Sequence, residues 1–268
     1  MRLNKFISST GLYSRRKADE LIKDKRVSVN GETGIIGQDV NENDKVYVDG
    51  KPLEINENNV YIILNKPKGI TCTTERHIEG NIIDFVNHTE RIFPVGRLDK
   101  DSEGLIILTN DGDIVNKILR EGNDKKKEYI VTVNKSITSN FIRSMSEGVE
   151  IYNPVRNEYT VTKKCDVSKI NDRTFKIILS QGLNRQIRRM CTALEYKVIN
   201  LKRVKIMDLT LEGLNTGEWR NLTSQEKTFL FSKNIKTNFM QKITLEKLEN
   251  LRQKNQTKAL VIAATGSG

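Results

Sequence analysis

The chain has 268 residues, room for one medium domain and a small one, with a formal net charge of +11 and a sequence pI near 9.5. A field of that sign favours an anionic partner, nucleic acid before an acidic membrane surface, and no long apolar run or signal-like N-terminus speaks for a membrane. Three widely spaced cysteines, Cys72, Cys165 and Cys191, with only His77 and His88 beside them, exclude a disulfide framework and a zinc set and imply a reduced, cytoplasmic setting.

In chain order, residues 1–55 read as a small separate module. Leu3, Phe6 and Ile7 have helical spacing and Gly11 ends that helix. Ser14 is placed to cap a second helix whose apolar face is Ala18, Leu21 and Ile22. Lys5, Arg15, Arg16 and Lys17 crowd the same short stretch. Val27-Ser28-Val29 alternates as a strand into the tight-turn pair Asn30-Gly31, and Val46-Tyr47-Val48 does the same into Asp49-Gly50. A basic helix pair with a hairpin is, on these grounds alone, equally a solvated surface.

Residues 56–60 read as a polar linker. Val60 to Leu64 is a strand, ended by Asn65-Lys66-Pro67-Lys68-Gly69, and Ile82 to Val86 a short helix. Phe93-Pro94-Val95 reads as a loop or strand end, and Leu105 to Thr109 as a buried strand. Between them lies Gly96-Arg97-Leu98-Asp99-Lys100-Asp101-Ser102-Glu103-Gly104. An acid among bases at a strand edge suits a catalytic carboxylate, because positive charge keeps it ionised; an ordinary surface ion pair has the same composition. The spacing of Asp99, Asp101, Glu103 and Gly104 imitates a calcium loop. The twelfth position is Asn110 instead of Glu, however, and Pro94 and Gly96 deny it an entering helix.

A helix follows from Ile114 to Leu119, then the charge run Lys125-Lys126-Lys127 and the alternating strand Glu128 to Val133. Ile137 to Met145 reads as a helix, and Tyr159 to Thr162 and Phe175 to Leu179 as strands. In Gln181-Gly182-Leu183-Asn184-Arg185-Gln186-Ile187-Arg188-Arg189, Asn184 is the expected cap of a helix with three arginines at its start, where the macrodipole favours anions. Val198 to Leu201 and Val204 to Ile206 read as two strands, and a final helix starts at Ser224. Leu245, Leu248 and Leu251 suggest a short amphipathic helix in a tail, 237–268, that ends in linker-like Thr-Gly-Ser-Gly. No Walker loop and no G-x-G-x-x-G occurs, so a nucleotide cofactor has no cradle and chemistry must run on carboxylate, Tyr, Lys and Arg.

Gly96-Arg97-Leu98-Asp99 with Ser102-x-Gly104-Leu105 resembles the catalytic motif of RNA pseudouridine synthases, in the branch of the RsuA, RluB, RluE and RluF enzymes. Asn65-Lys66-Pro67-x-Gly69, Lys127-Glu128-Tyr129 and the Gln181–Cys191 string resemble further motifs of that family, in the family's order. Asn116-Lys117-Ile118-Leu119-Arg120-x-Gly122-Asn123-Asp124 and Phe141-Ile142-Arg143-x-Met145-Ser146 look most like the RluF-type branch. The first thirty residues resemble the RNA-binding module first known from a ribosomal small-subunit protein. The resemblance spans about nine-tenths of the chain and stops near residue 240.

The resemblance implies an α+β fold: a mixed, mainly antiparallel sheet domain with flanking helices over 61–236, preceded by the small α/β RNA-binding module. It implies isomerisation of a uridine to pseudouridine in large-subunit (23S) ribosomal RNA, with a transfer RNA as a possible second substrate. No cofactor and no metal are needed, because the reaction exchanges one glycosidic bond for another without redox change or net hydrolysis. The implied catalytic set is Asp99, Tyr129 and Arg188, with Arg188 pairing Asp99 and Tyr129 packing on uracil. Leu201 would pack near the base. Arg97, Lys66, Arg185 and Arg189, with Lys5, Arg15, Arg16 and Lys17 of the module, would contact RNA. The partner is RNA, the chain a monomer. The competing expectation is a non-catalytic ribosomal RNA binder that keeps the fold. The charge and the module fit it equally, but binding alone needs no Asp99, Tyr129 and Arg188 together. A carboxylate–metal hydrolase fails for want of a convergent acidic cluster.

Overall fold

The computed structural model describes residues 1–232 except 42, 56, 57 and 120–125. Arg120 to Asp124 of the RluF-like word, Lys125 of the charge run, the segment at Leu245–Leu251 and the 237–268 tail lie outside the described residues. The chain divides into two units, 1–223 and the part from Ser224 onward.

Helix α1 (Leu3–Ser9) buries Leu3, Phe6 and Ile7, the i, i+3, i+4 set expected of one face. Gly11 follows with φ +79°, and its N–H donates to the Ser8 carbonyl. Ser14 caps α2 (Arg15–Lys23) as expected: its Oγ accepts from the Lys17 N–H at 3.1 Å. Ala18, Leu21 and Ile22 face inward, which turns Arg15, Arg16 and Lys17 to solvent. Strands β1 (Val27–Val29), β2 (Glu32–Thr33), β3 (Val46–Val48) and β4 (Lys51–Pro52) form an antiparallel sheet in the order β2-β1-β3-β4. Both tight turns carry positive φ at their two central residues, Asn30 and Gly31, then Asp49 and Gly50, the geometry that matches strand twist in a hairpin. These elements close on a core of their own around Leu3, Ile7, Leu21, Val27 and Val48.

The rest of the first unit is built on a nine-stranded sheet. Its strands are β5 (Tyr61–Lys66), β6 (Phe93–Val95), β7 (Glu103–Thr109), β8 (Lys127–Val133), β11 (Asp166–Lys169), β12 (Thr174–Leu179), β13 (Val198–Ile206), β14 (Leu209–Thr210) and β15 (Trp219–Asn221). Their order is β11-β12-β8-β13-β7-β5-β15, with β6 on β7 and β14 on β13. Every pairing is antiparallel except β13 with β7, joined in parallel at Lys202↔Glu103 and Arg203↔Gly104. Helices α3 (Ile82–Val86), α4 (Gly112–Leu119), α5 (Ser139–Glu147) and α6 (Gln186–Ala193) flank it, and β9 (Glu150–Asn153) with β10 (Glu158–Val161) forms a separate two-stranded ribbon. The α+β, mainly antiparallel architecture is the one expected.

The parallel seam depends on Gly104. Its φ is +108°, and a Cβ there would lie 2.2 Å from the Arg203 carbonyl oxygen and 2.7 Å from its nitrogen. Only glycine lets β7 approach β13 so closely. On either side of the seam lie two hydrophobic clusters. Ile62, Leu64, Ile82, Leu98, Ile106 and Leu108 form one, and Val131, Phe141, Phe175, Ile187, Met190 and Leu201 belong to the other. Tyr129 packs against both.

Some boundaries differ from expectation for identifiable reasons. Strand β5 does not end at Leu64. It continues through Asn65 and Lys66, which pair with Leu105 and Gly104 in the middle of the sheet. The two strands expected at 198–201 and 204–206 are one nine-residue strand, bent by irregularities at Val198/Asn200 and Arg203/Lys205. Helix α5 starts at Ser139, with the Thr138 side chain accepting from the Phe141 N–H. Phe93–Val95 is a strand at the margin of the sheet, where Pro94 is tolerated. The second unit contributes helix α7 (Ser224–Ser232), where a final helix was expected.

Candidate active site

The loop Gly96–Ser102 enters β7 and is pinned at three places. Leu98 is buried, and its N–H reaches the Cys72 Sγ at 3.4 Å. The Gly69 N–H donates to the Lys100 carbonyl at 2.8 Å, and the Ser102 N–H to the Asp99 carbonyl at 3.0 Å. Asp99 is thus held by backbone on both sides while its carboxylate stays one-third exposed, at the wall of a cleft of about 630 Å³. That volume suits a nucleoside-sized group.

Two arginines from the start of α6 meet this loop. Arg185 forks onto the Asp101 carboxylate with two hydrogen bonds of 3.0 Å and reaches Asp99 Oδ2 at 3.2 Å. Arg188 is more deeply set. Its NH2 donates to the Asp101 carbonyl at 3.0 Å and to Ser102 Oγ at 3.1 Å, and its Nε, buried without a hydrogen-bond partner, lies 3.9 Å from Asp99 Oδ2. The expected Arg188–Asp99 pair is therefore a loose ionic contact, and the shorter contact to Asp99 comes from Arg185, which was expected to touch only RNA. The Arg185 hydrogen bonds hold the Asp101 carboxyl below the usual carboxylate range, against the opposing effect of burial.

The helix begins one residue later than the sequence suggests. Arg185, at φ +49°, takes the cap position that Asn184 was expected to hold, and it makes no side-chain cap. The Gln186 Oε1 instead accepts from the Leu183 N–H at 3.1 Å. This left-handed turn aims the Arg185 guanidinium back at the Asp99 loop. Arg189 points elsewhere: its guanidinium is tied to the Asn184 carbonyl and Oδ1 and the Tyr152 carbonyl. It does not line the cleft.

Tyr129 on β8 and Leu201 on β13 line the same cleft as Asp99, Arg185 and Arg188, and Arg97 stands exposed at its edge. Leu201 is buried and Tyr129 half-buried, so one wall is apolar and the facing loop is charged. Such a wall can receive a flat base while the carboxylate acts on the group attached to it.

Lys66 is placed differently from expectation. It is fully buried in β5, its Nζ donating to the Pro67 carbonyl at 2.8 Å, so it presents no surface to RNA. Burial lowers the pKa of its ammonium, opposed by Cys72, Asp101, Asp99 and Glu103. The module residues separate as well. Arg15, Arg16 and Lys17 are exposed, while Lys5 pairs with Asp113 at 2.8 Å.

Sequence reasoning missed Arg203. Its side chain lines the cleft from β13, opposite Tyr129 in register, and is 4% exposed. Its Nε donates to the Leu105 carbonyl at 2.7 Å, and its NH2 is buried without a partner. The available signal was an arginine at a core position of the alternation Leu201-x-Arg203, but its polarity argued for a break between two strands. Cys72, on the cleft wall, was noticed only as a cysteine. Burial raises the pKa of its thiol.

Comparison with known proteins bears on the family. A family model described as RNA pseudouridylate synthase matches residues 60–193, and an S4 domain model matches residues 1–33. The dual-specificity RNA pseudouridine synthases RluF of Salmonella typhi and of Escherichia coli K12 are each 54% identical, over 86% of this chain and 78% of theirs. The ribosomal large subunit pseudouridine synthase B of Bacillus subtilis is 36% identical, over 84% of this chain and 93% of its own. A crystal structure of a pseudouridylate synthase superposes with a TM-score of 0.62 at 31% identity, covering 86% of this chain and 99% of that one. With a carboxylate loop clamped by two arginines against an apolar wall, and with relatives matched along most of its length, the chain belongs to the RNA pseudouridine synthase family.

Proposed function

We propose that this enzyme converts a specific uridine of large-subunit ribosomal RNA to pseudouridine, with Asp99 as its catalytic group. The observation that carries the reading is Asp99 itself: a backbone-pinned carboxylate within reach of Arg185 and Arg188, facing Tyr129 and Leu201 across a nucleoside-sized cleft. The N1–C1′ bond breaks, the uracil turns, and C5–C1′ forms. C5 loses its proton and N1 gains one, so no cofactor is required. Asp99 acts on the sugar or the base, Tyr129 packs on the uracil and carries a hydroxyl for the C5 proton, and the arginines hold the carboxylate. A paired uridine must be flipped out to enter, at roughly a few kcal/mol, which contacts elsewhere on the RNA offset.

Those contacts are assigned to residues 1–55, with Arg15, Arg16 and Lys17 on phosphates, residues 56–60 as linker and 61–236 as the catalytic domain. The words dual-specificity RNA in the names of the RluF relatives support a second kind of RNA substrate, and transfer RNA is the one we propose. The chain is taken to act as a monomer in the cytoplasm.

The test has two arms. Release of tritium from C5-labelled uridine should fall by about a thousandfold or more in Asp99→Asn, with RNA affinity kept. Pseudouridine mapping of ribosomal and transfer RNA, with and without the gene, should lose one position or a small set. Turnover persisting in Asp99→Asn removes Asp99 from the mechanism. A wild-type chain that binds RNA without converting it leaves only the non-catalytic binder.

A further inference from the structure

The ribbon of β9 and β10 is packed on one face only. Ile151 and Asn153 point inward and are buried, whereas Tyr152, Tyr159 and Val161 face solvent at 39%, 71% and 63% exposure. Tyr152 and Tyr159 are cross-strand partners with ring centroids 5.5 Å apart, edge to face. The Tyr152 hydroxyl donates to Asn157 Oδ1, which fixes one ring of the pair. Two exposed tyrosines and a valine on one ribbon face are apolar surface that the fold itself does not use.

The ribbon is also joined to the cleft. Val155, in its turn, lines the cleft beside Asn184 and Arg185 and is 80% exposed. The Arg189 NH1 donates to the Tyr152 carbonyl at 3.3 Å, and the Lys163 N–H to Gln181 Oε1 at 3.1 Å, so β9 and the chain just past β10 are tied to the segment that carries Arg185 and Arg188. Local charge is nearly balanced. Arg156, Lys163, Lys164 and Arg189 stand against Glu147, Glu150 and Glu158, with Arg156–Glu158 and Lys164–Glu147 paired. What the face offers is aromatic area, more than charge.

We propose that the outer face of this ribbon, centred on Tyr159 and Tyr152, is a stacking platform for an unpaired base of the substrate RNA next to the uridine drawn into the cleft. The proposal rests on the catalytic reading above for the identity of the partner. Continuity with the cleft at Val155 favours RNA, because a strand whose uridine enters the cleft brings its neighbouring nucleotides over the ribbon turn. Every base has a π-face, so stacking on tyrosine holds a flanking nucleotide without reading its identity, and it helps offset the unstacking that flipping requires.

The experiment uses the full chain and an unmodified transcript of large-subunit ribosomal RNA. Tyr159→Ala should raise Kd and KM about tenfold with kcat unchanged. Tyr159→Phe, which keeps the ring, should behave as wild type. The dependence of Kd on salt should keep its slope in both, because every cation that meets a phosphate is still in place. Unchanged Kd and KM in Tyr159→Ala overturn the platform, as does a loss that Tyr159→Phe fails to restore. Altered sedimentation with intact RNA affinity also overturns it, and assigns the face to a second copy or another protein. Wild-type binding without conversion defeats the catalytic reading alone, and the Kd comparison still decides the platform. No binding by the wild type defeats both.

Discussion

On α2 the cations Arg15, Arg16 and Lys17 project into solvent, and the apolar face of the helix does all the packing. In and beside the nine-stranded sheet the arrangement is reversed: Lys66 and Arg203 on its strands are buried, and the Arg188 side chain on α6 is only 14% exposed. Exposed cations act at a distance and are screened by salt, so they serve affinity for a polyanion. Buried cations are screened far less and hold neighbouring groups in place. A net charge of +11 therefore sums two different devices, and only one of them reports on RNA affinity. Among the described residues, Lys5 of α1 meets Asp113, and Arg91 meets the Tyr13 carbonyl, both polar and exposed contacts, while the N-terminal elements keep a core of their own, so the two devices can be altered separately.

The sharpest break between them is Arg188→Met. Removing the bonds to Asp101 and Ser102 loosens the Asp99 loop, which its backbone bonds and Arg185 then hold alone. Misplacement on the scale of 1 Å should lower kcat by about a hundredfold, while Kd for RNA stays near wild type. Arg188→Lys keeps the charge without the fork and should recover part of that loss. Single-turnover rates and filter binding on the three proteins check both statements; equal kcat in Arg188→Met would remove Arg188 from the site. The opposite pattern is expected of the triple variant Arg15→Ala, Arg16→Ala, Lys17→Ala. There kcat should persist, affinity should fall, and the slope of log affinity against log salt should drop by about one for each phosphate no longer neutralised. A slope unchanged over a salt series would place these cations away from the RNA.

The smallest effect concerns Asp101, whose carboxyl is held low first by Arg185. Because its folded value lies below its unfolded one, the pair contributes stability above about pH 4, the ordinary aspartate value. That contribution is lost as pH falls through the lower folded value. Both partners are more than a third exposed, so it should be under about 1 kcal/mol. Thermal melts of Asp101→Asn should lie slightly below wild type at pH 7, and the gap should close as pH falls below the ordinary aspartate value and through the lower folded one. A gap that widens in acid would contradict the pairing.

What could be read from the sequence was local. Ser14 as a cap, Asn30-Gly31 and Asp49-Gly50 as turns, and Ile82–Val86 as a helix each depend on residues within a few positions, and each is found. The placement of Asp99 beside strand β7 was likewise readable from Pro94, Gly96 and the apolar run after them. Lys66 was misplaced because nothing near it shows that Leu105 and Gly104 would cover it. Arg203 was missed for the same reason: its hydrogen-bond partner is the Leu105 carbonyl, 98 residues away. The rivalry of Arg185 and Arg188 for Asp99 turns on one left-handed residue at the head of α6.

The parallel seam at Gly104 and Arg203 also has a consequence during synthesis. Strand β7 is made well before β13. At about 5–20 residues per second, the ribosome delivers its parallel partner roughly 5–20 s later. Throughout that interval the Glu103–Gly104 end of β7 lacks its parallel neighbour, whereas β5 and β6, both made earlier, already pair with Ile107 to Thr109. Arg188, Leu201 and Arg203 arrive in the same late stretch. A nascent chain thus carries Asp99 long before it carries the cleft, and the residues that lead out of the Asp99 loop wait longest for their partner.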